Sequence, residues 1–217
     1  MSEIRFWYAA GACSLAPHVL LHEINAEFEG VEAQITAERA RFPDGFEVIN
    51  PKMSVPVISV DGQVFTEVPA IATVIAGMAP ERFLMGRDAL ETARVYEWMV
   101  WLSTSLHGIG FGGIWRPQRY SDDPAASAGI VKKGRQTVVD CFATIERRII
   151  GPFAIGEAFS AADAYLYVFY RWGNGIGMDM DQVYPKFAAL GRTLASRPSV
   201  VKALAVEKVD PHGHGPS

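Results

Sequence analysis

The chain has little cysteine, no long apolar run and no basic stretch, and each shortage removes a class of protein. Only Cys13 and Cys141 occur in 217 residues, in different settings, so a disulfide scaffold is excluded and a reducing cytoplasm is the expected compartment. No segment holds the roughly eighteen uninterrupted apolar residues of a membrane span. Net charge is −4 without a basic run, so neither nucleic acid nor a membrane surface is an expected partner. The opening Met1-Ser2-Glu3-Ile4-Arg5 lacks the basic-then-apolar pattern of a secretory signal. No fixed repeat and no low-complexity segment beyond the tail is visible. What is present is an apolar fraction of 49%, ample for a packed core.

The stretch with chemical content is Tyr8-Ala9-Ala10-Gly11-Ala12-Cys13-Ser14-Leu15-Ala16-Pro17-His18. Ile4, Phe6 and Tyr8 alternate as in a short strand, and Leu15, Val19, Leu20 and Ile24 recur at helical spacing. Gly11 supplies the turn, which places Cys13-Ser14 where a helix over about 15–24 begins. The first amides of a helix lack internal partners and carry the positive end of its dipole. A thiol or anion there is expected to be stabilised as its charged form. Cysteine is also among the residues most often buried as a small hydrophobe, so this position alone does not establish a function.

Ala26 to Gln34 reads as extended, and 36–48 as a short or irregular helix with Ala37, Ala40, Phe42 and Phe46. Val55 must be extended because Pro56 follows it. A strand runs from Val57 to Val60, reverses at Asp61-Gly62 and returns through Val64 to Thr66; Asp-Gly between apolar runs is a strong hairpin signal. Thr66-Glu67-Val68-Pro69 then reads as a helix start, with Thr66 in capping position and a proline early in the helix. The order β-α-β-α-β-β-α over about 80 residues is that of a thioredoxin-like domain. It brings the Cys13 turn, Val55-Pro56 and the Thr66-Glu67 turn to one sheet edge.

The run Tyr8 to His18, then Asn50-Pro51-Lys52 with Val55-Pro56, then Thr66-Glu67 with Ala70-Ile71, resembles the N-terminal domain of glutathione transferases. The Gly11-Ala12-Cys13-Ser14 turn is similar to that of the bacterial beta class. The resemblance covers nearly the whole chain and implies an α/β thioredoxin-like domain (1–79), a linker (80–87) and an all-helical domain (88–217) holding an electrophile pocket. It implies glutathione as co-substrate, no metal, a detoxifying role, a cytoplasmic homodimer and a small hydrophobic electrophile. By the same resemblance Pro56 is cis, Val55 pairs with the cysteinyl main chain of glutathione, and Lys52 reaches its glycyl carboxylate. Glu67 accepts the γ-glutamyl ammonium, and the Val68 amide receives the α-carboxylate. Val68 replaces a serine of the family pattern, so a hydroxyl donor is lost, worth about 1 kcal/mol.

A thiol with pKa near ~8.5 must be lowered by about two units, or ~2.7 kcal/mol, to ionise at neutral pH. A helix terminus supplies at most ~2 kcal/mol, so a direct donor must help. The candidates rank Cys13, Ser14, Tyr8. His107 resembles a histidine that faces the sulfur from the second domain, although a lone histidine near an apolar face is usually structural.

In the second half, a helix from Asp88 carries Leu90, Tyr96, Trp98, Trp101, Leu102 and Leu106. Gly108, Gly110, Gly112 and Gly113 are expected to bend or loosen it before Trp115-Arg116-Pro117. A helix over 124–150 turns Ile130, Val138, Val139, Phe142, Ile145 and Ile149 inward, with Cys141 as inert packing. Ser160 and Asp163 match a capping box before an all-apolar central helix. Further helices are expected over 183–196 and 198–206. His212 and His214 lie in a tail expected to fray. Two rivals to conjugation remain: a glutathione-dependent thiol–disulfide reductase using Cys13, and a non-catalytic ligand-binding protein of the same fold.

Overall fold

Alternation in Ile4-Arg5-Phe6-Trp7-Tyr8 builds the central strand. A computed structural model of the chain describes residues 2–35 and 40–213. Strand β1 (Ile4–Tyr8) lies between β2 (Glu29–Glu32), which runs parallel to it, and β5 (Val57–Val60), which runs antiparallel. β6 (Gln63–Thr66) completes the order β2-β1-β5-β6. The return at Asp61 and Gly62, with φ of 50° and 81°, is the turn expected of Asp-Gly. Phe6 and Tyr8 face the main core, whereas Trp7 joins Ala9, Phe46 and Val57 in a smaller cluster on the other face. The sheet is thus buried on both sides.

Helix α1 (Leu15–Glu23) is buried over Leu15–Leu21 because it is enclosed by α3 (Val68–Met78), α7 (Ala161–Gly175) and α10 (Pro198–Glu207). A helix apolar on all sides has to be interior. The expected helix over 36–48 is different: 36–39 lie outside the described residues, β3 (Gln34–Ile35) and β4 (Ala40–Arg41) form a two-stranded ribbon, and only α2 (Phe46–Ile49) is helical. Thr66 does not cap α3 either. It ends β6, and Glu67 takes the capping position without a side-chain cap bond.

After a 3₁₀ turn at Pro80–Arg82, α4 (Ala89–Trp101) starts at Asp88, whose carboxylate accepts from the amides of Leu90 and Glu91 at 2.8 and 2.9 Å. Leu84 and Met85, between them, are buried in the core. The glycine-rich stretch is not loose. Leu102–Phe111 is a π-helical segment that runs into α5 (Gly112–Trp115) and packs on α6 (Ser127–Arg148). A Cβ at Gly134 would meet the Gly110 carbonyl at 2.8 Å, so these glycines let two helix backbones approach. In α6, Val139 points outward, 40% exposed, against the expectation for it. Cys141 is buried.

The capping box forms as expected: the Asp163 carboxylate accepts from Ser160 N (2.8 Å) and Ser160 Oγ (2.9 Å), and from Ala154 N (2.7 Å). α7 continues through Gly175, and helix returns in α8 (Met180–Val183), ahead of α9 (Pro185–Ala195). The tail is seated through residue 213: Tyr167 donates to Pro211 O (2.6 Å), Arg171 Nε to Asp210 O (3.0 Å), and Asn174 Nδ2 to His212 O (2.8 Å). His214 lies outside the described residues. No helix among the described residues is long and apolar enough to cross a membrane.

One consequence is a pH window. His22, stacked on His18 at 5.1 Å, is pushed down to about 4 by burial, by His18 and by Lys202. Between about pH 6.5 and 4 the folded state therefore holds fewer protons than the unfolded chain, and stability is lost as pH falls through that window, by about 3 kcal/mol at most. Asp163, raised to about 6 by burial against its three donors, acts with the opposite sign between pH 3.8 and about 6. In urea unfolding across this range, His22→Gln should lose less stability than the parent as pH falls; equal pH dependence would remove His22 from the balance.

Candidate active site

The turn after β1 is set by Gly11, whose φ of 69° is the left-handed conformation that glycine adopts without strain. Ser14 fastens it: its hydroxyl accepts from Ala9 N at 3.0 Å and donates to Ala9 O at 3.1 Å. The helical domain grips the same turn. Gly11 N donates to Glu207 Oε2 at 2.8 Å, and Trp172 Nε1 donates to Gly11 O at 2.8 Å. Glu207 Oε1 lies 2.8 Å from His18 Nδ1, with both side chains wholly buried. Since a carboxylate only accepts, His18 carries its proton on Nδ1.

Facing this turn is a cleft of about 320 Å³. Cys13 and Val55 form one wall, and His107, Trp115 and Trp172 the other. Phe42 and Met53 edge it on the α2 side, and Arg116 and Arg119 at the end of α5. The Val55-Pro56 bond is cis, as the resemblance implied. The Cys13 thiol donates to Val55 O at 3.5 Å. The expectation that a helix start ionises this thiol is overturned. Burial pushes Cys13 up to about 12, helped by Glu67 and Glu207 and opposed by the Cys13 and Ser14 amides. The physical reason is placement: α1 begins at Leu15, beyond Cys13, and the cysteine is desolvated between the two halves of the chain.

His107, on the π-helical segment, has Nδ1 3.3 Å from the hydroxyl of Tyr165, either group donating according to the tautomer. Burial, then Arg119 and Arg116, lower it to about 4 against the pull of Glu67, so the imidazole is neutral near pH 7. It is therefore a proton acceptor or neutral donor, not a cation.

Ser14 and Tyr8 are not brought to the cleft. Ser14 is fully buried and its hydroxyl is committed to Ala9. Tyr8 is buried behind the turn, its ring 4.9 Å from that of His18, and burial raises its pKa, with Glu32 and Glu207 adding to the rise. Neither hydroxyl therefore lines the cleft, whereas Cys13 and His107 do. Lys52, Glu67 and Val68 gather at the start of α3. Lys52 Nζ donates to Thr66 Oγ1 at 2.8 Å and is paired with the Glu67 carboxylate. Glu67 holds φ at 71°, unusual for a non-glycine residue. The Val68 amide opens the helix without an intrahelical acceptor.

Compared with known proteins, the chain matches no family model. It is 29% identical to glutathione S-transferase GstA of Escherichia coli O157:H7, over 94% of this chain and 98% of that one. It superposes on a sphingomonad glutathione S-transferase complexed with glutathione with a TM-score of 0.80, at 30% identity over 95% of this chain and all of that one. The chain belongs to the glutathione transferase family. A bacterial beta class glutathione S-transferase from Sphingomonas chungbukensis is equally similar, with 30% identity over 94% and 98% of the two chains and a TM-score of 0.80.

Within that family, the transferase fold accounts for the thioredoxin-like sheet and the helical second half. The arginines and Trp172 of the cleft, Tyr165 behind His107, and Glu207 under the turn were not singled out by the sequence. Trp172 and Tyr165 were visible only as parts of an apolar helix, and Glu207 as one polar residue ending another. Among the described residues no group of three or more metal-ligating side chains gathers.

Proposed function

We propose that this transferase binds glutathione in the cleft between Cys13 and Val55 and joins its sulfur to a hydrophobic electrophile, giving a thioether. What carries the reading is one cleft combining an extended cis-proline edge, a protonated thiol, a neutral imidazole and aromatic walls. The cysteinyl main chain of glutathione pairs with Val55 as a peptide adds to a strand edge. Its thiol gives up a proton to neutral His107, and the Cys13 S–H turns from Val55 O to donate to the thiolate. The sulfur attacks the electrophilic carbon, a C–S bond forms, and the leaving group departs with its electron pair.

The γ-glutamyl carboxylate sits at the Val68 amide. Glu67 exchanges Lys52 for the ammonium group, which frees Lys52 for the glycyl carboxylate. The exposed Lys52–Glu67 pair opposes this exchange by at most about 1 kcal/mol. The same reading divides the chain at 1–79, 80–87 and 88–217, and places a homodimer with a detoxifying role in the cytoplasm.

A disulfide reductase would need Cys13 as thiolate, and its burial opposes that. Conjugation of a chlorinated nitroaromatic, disulfide reduction and glutathione binding by calorimetry, measured side by side, test the reading. Conjugation with little reduction is expected, with kcat rising with pH to a plateau near neutrality as the bound thiol ionises. Reduction without conjugation, or no heat with millimolar glutathione, would overturn it.

A further inference from the structure

The electrophile side of the cleft carries a charge that a purely hydrophobic acceptor would leave unused. Arg116 follows α5, and the 3₁₀ turn Pro117–Arg119 brings Arg119 to the same rim. Neither guanidinium has a carboxylate within 4.0 Å among the described residues, although Arg5, Arg94, Arg148, Arg192 and Arg197 each have one. No aspartate or glutamate lines the cleft. With His107 neutral, the wall therefore presents two positive charges in a protein whose net charge is −4. They stand close enough to oppose each other: burial and then Arg119 hold Arg116 below its ordinary value.

The same cleft is lined by the aromatic rings of Trp115 and Trp172, whose centroids are 4.8 Å apart at 77°. Guanidinium groups bind carboxylates in a planar, two-pronged geometry and stack on aromatic rings. Arginines held together near an apolar surface without a counter-ion are a receptor for an anion.

Building on the conjugation reading, we infer that the acceptor for this cleft is an aromatic carboxylate, with Arg116 and Arg119 binding its carboxylate and the two tryptophans its ring. The guanidiniums fix which face of the ring meets the sulfur and select acids over neutral acceptors. The same carboxylate chemistry is available from the glycyl end of glutathione, so the test must separate the two sources.

Two measurements do so. The first is equilibrium binding of dinitrobenzoate and of dinitrobenzene, followed by quenching of tryptophan fluorescence with the glutathione site filled by S-methylglutathione. The second is conjugation of a chlorodinitrobenzoate and the matching chlorodinitrobenzene, each rate divided by its uncatalysed rate with glutathione. The parent should bind dinitrobenzoate at least about tenfold more tightly than dinitrobenzene, the equivalent of ~1.4 kcal/mol, and the preference should shrink with added salt. The double variant Arg116→Gln/Arg119→Gln should cut that preference, and the corresponding ratio of kcat/KM, by about tenfold; Arg116→Lys/Arg119→Lys should restore part of it.

An acid preference absent from the parent, or undiminished in the glutamine variant, overturns the inference. So does a loss of glutathione affinity as large as the loss of dinitrobenzoate affinity, which would assign the arginines to glutathione. Arginine-dependent binding of dinitrobenzoate without any conjugation would uphold this anion site while sinking the transferase reading.

Discussion

Replacing Glu207 with alanine is expected to lower the unfolding free energy by about 2–5 kcal/mol, the cost of leaving two buried donors without their acceptor. Its carboxylate is the shared acceptor of the Gly11 amide and His18 Nδ1, each at 2.8 Å, in a region closed to water. Removing it strands both donors, because Gly11 has no side chain to compensate and His18 Nε2 already lacks a partner among the described residues. For a chain of this length the thermal midpoint should fall by roughly 5–20 °C. Glutathione affinity should fall with it, since the turn carrying Cys13 is held from the helical side by Glu207 and Trp172. Glu207→Gln should recover more than half of the stability, with its amide oxygen accepting from Gly11 and its NH₂ donating to a His18 whose proton has moved to Nε2. A cost below about 1 kcal/mol for alanine, by urea unfolding, would show that the clamp does not hold the turn.

Cys13 is expected to resist alkylation. With its thiol at about 12, only about one molecule in 10⁵ is thiolate at pH 7. Against a free thiol near ~8.5, the thiolate fraction is lower by about three and a half powers of ten. Greater intrinsic nucleophilicity returns about one and a half of these. Iodoacetamide should therefore modify Cys13 at least about 100-fold more slowly than free cysteine at neutral pH, and more slowly still because the sulfur is buried. Mass spectrometry of the peptides separates it from Cys141, itself raised to about 11 by burial and then by Asp140. Labelling as fast as free cysteine would return Cys13 to the role of nucleophile and favour disulfide chemistry.

The parts of this molecule readable in the sequence are those governed by neighbours in the chain. The β1–turn–α1 entry, the Asp61-Gly62 hairpin and the Ser160–Asp163 capping box each depend on residues within a few positions. The cis form of Pro56 was implied by family likeness, not by any local rule. What escaped depends on partners far away. Ser14 has the spacing of a cleft residue, yet its hydroxyl turns inward to Ala9. The helix dipole alone argues for an ionised Cys13, whereas desolvation between the two halves of the chain is the larger effect. Gly110 and Gly113 looked like breakers because their partner, Gly134, lies on another helix. Glu207 is 196 residues from Gly11, and no periodicity connects them.

The central claim is that this cleft ionises the thiol of glutathione while Cys13 stays protonated. Ultraviolet titration of thiolate absorbance, with and without saturating glutathione, measures both at once. Little thiolate should be present at neutral pH in the protein alone. A full equivalent should appear when glutathione is added, none with S-methylglutathione, and less in Cys13→Ala. Thiolate absorbance in the unliganded protein at neutral pH, or its absence once glutathione is bound, would contradict the account.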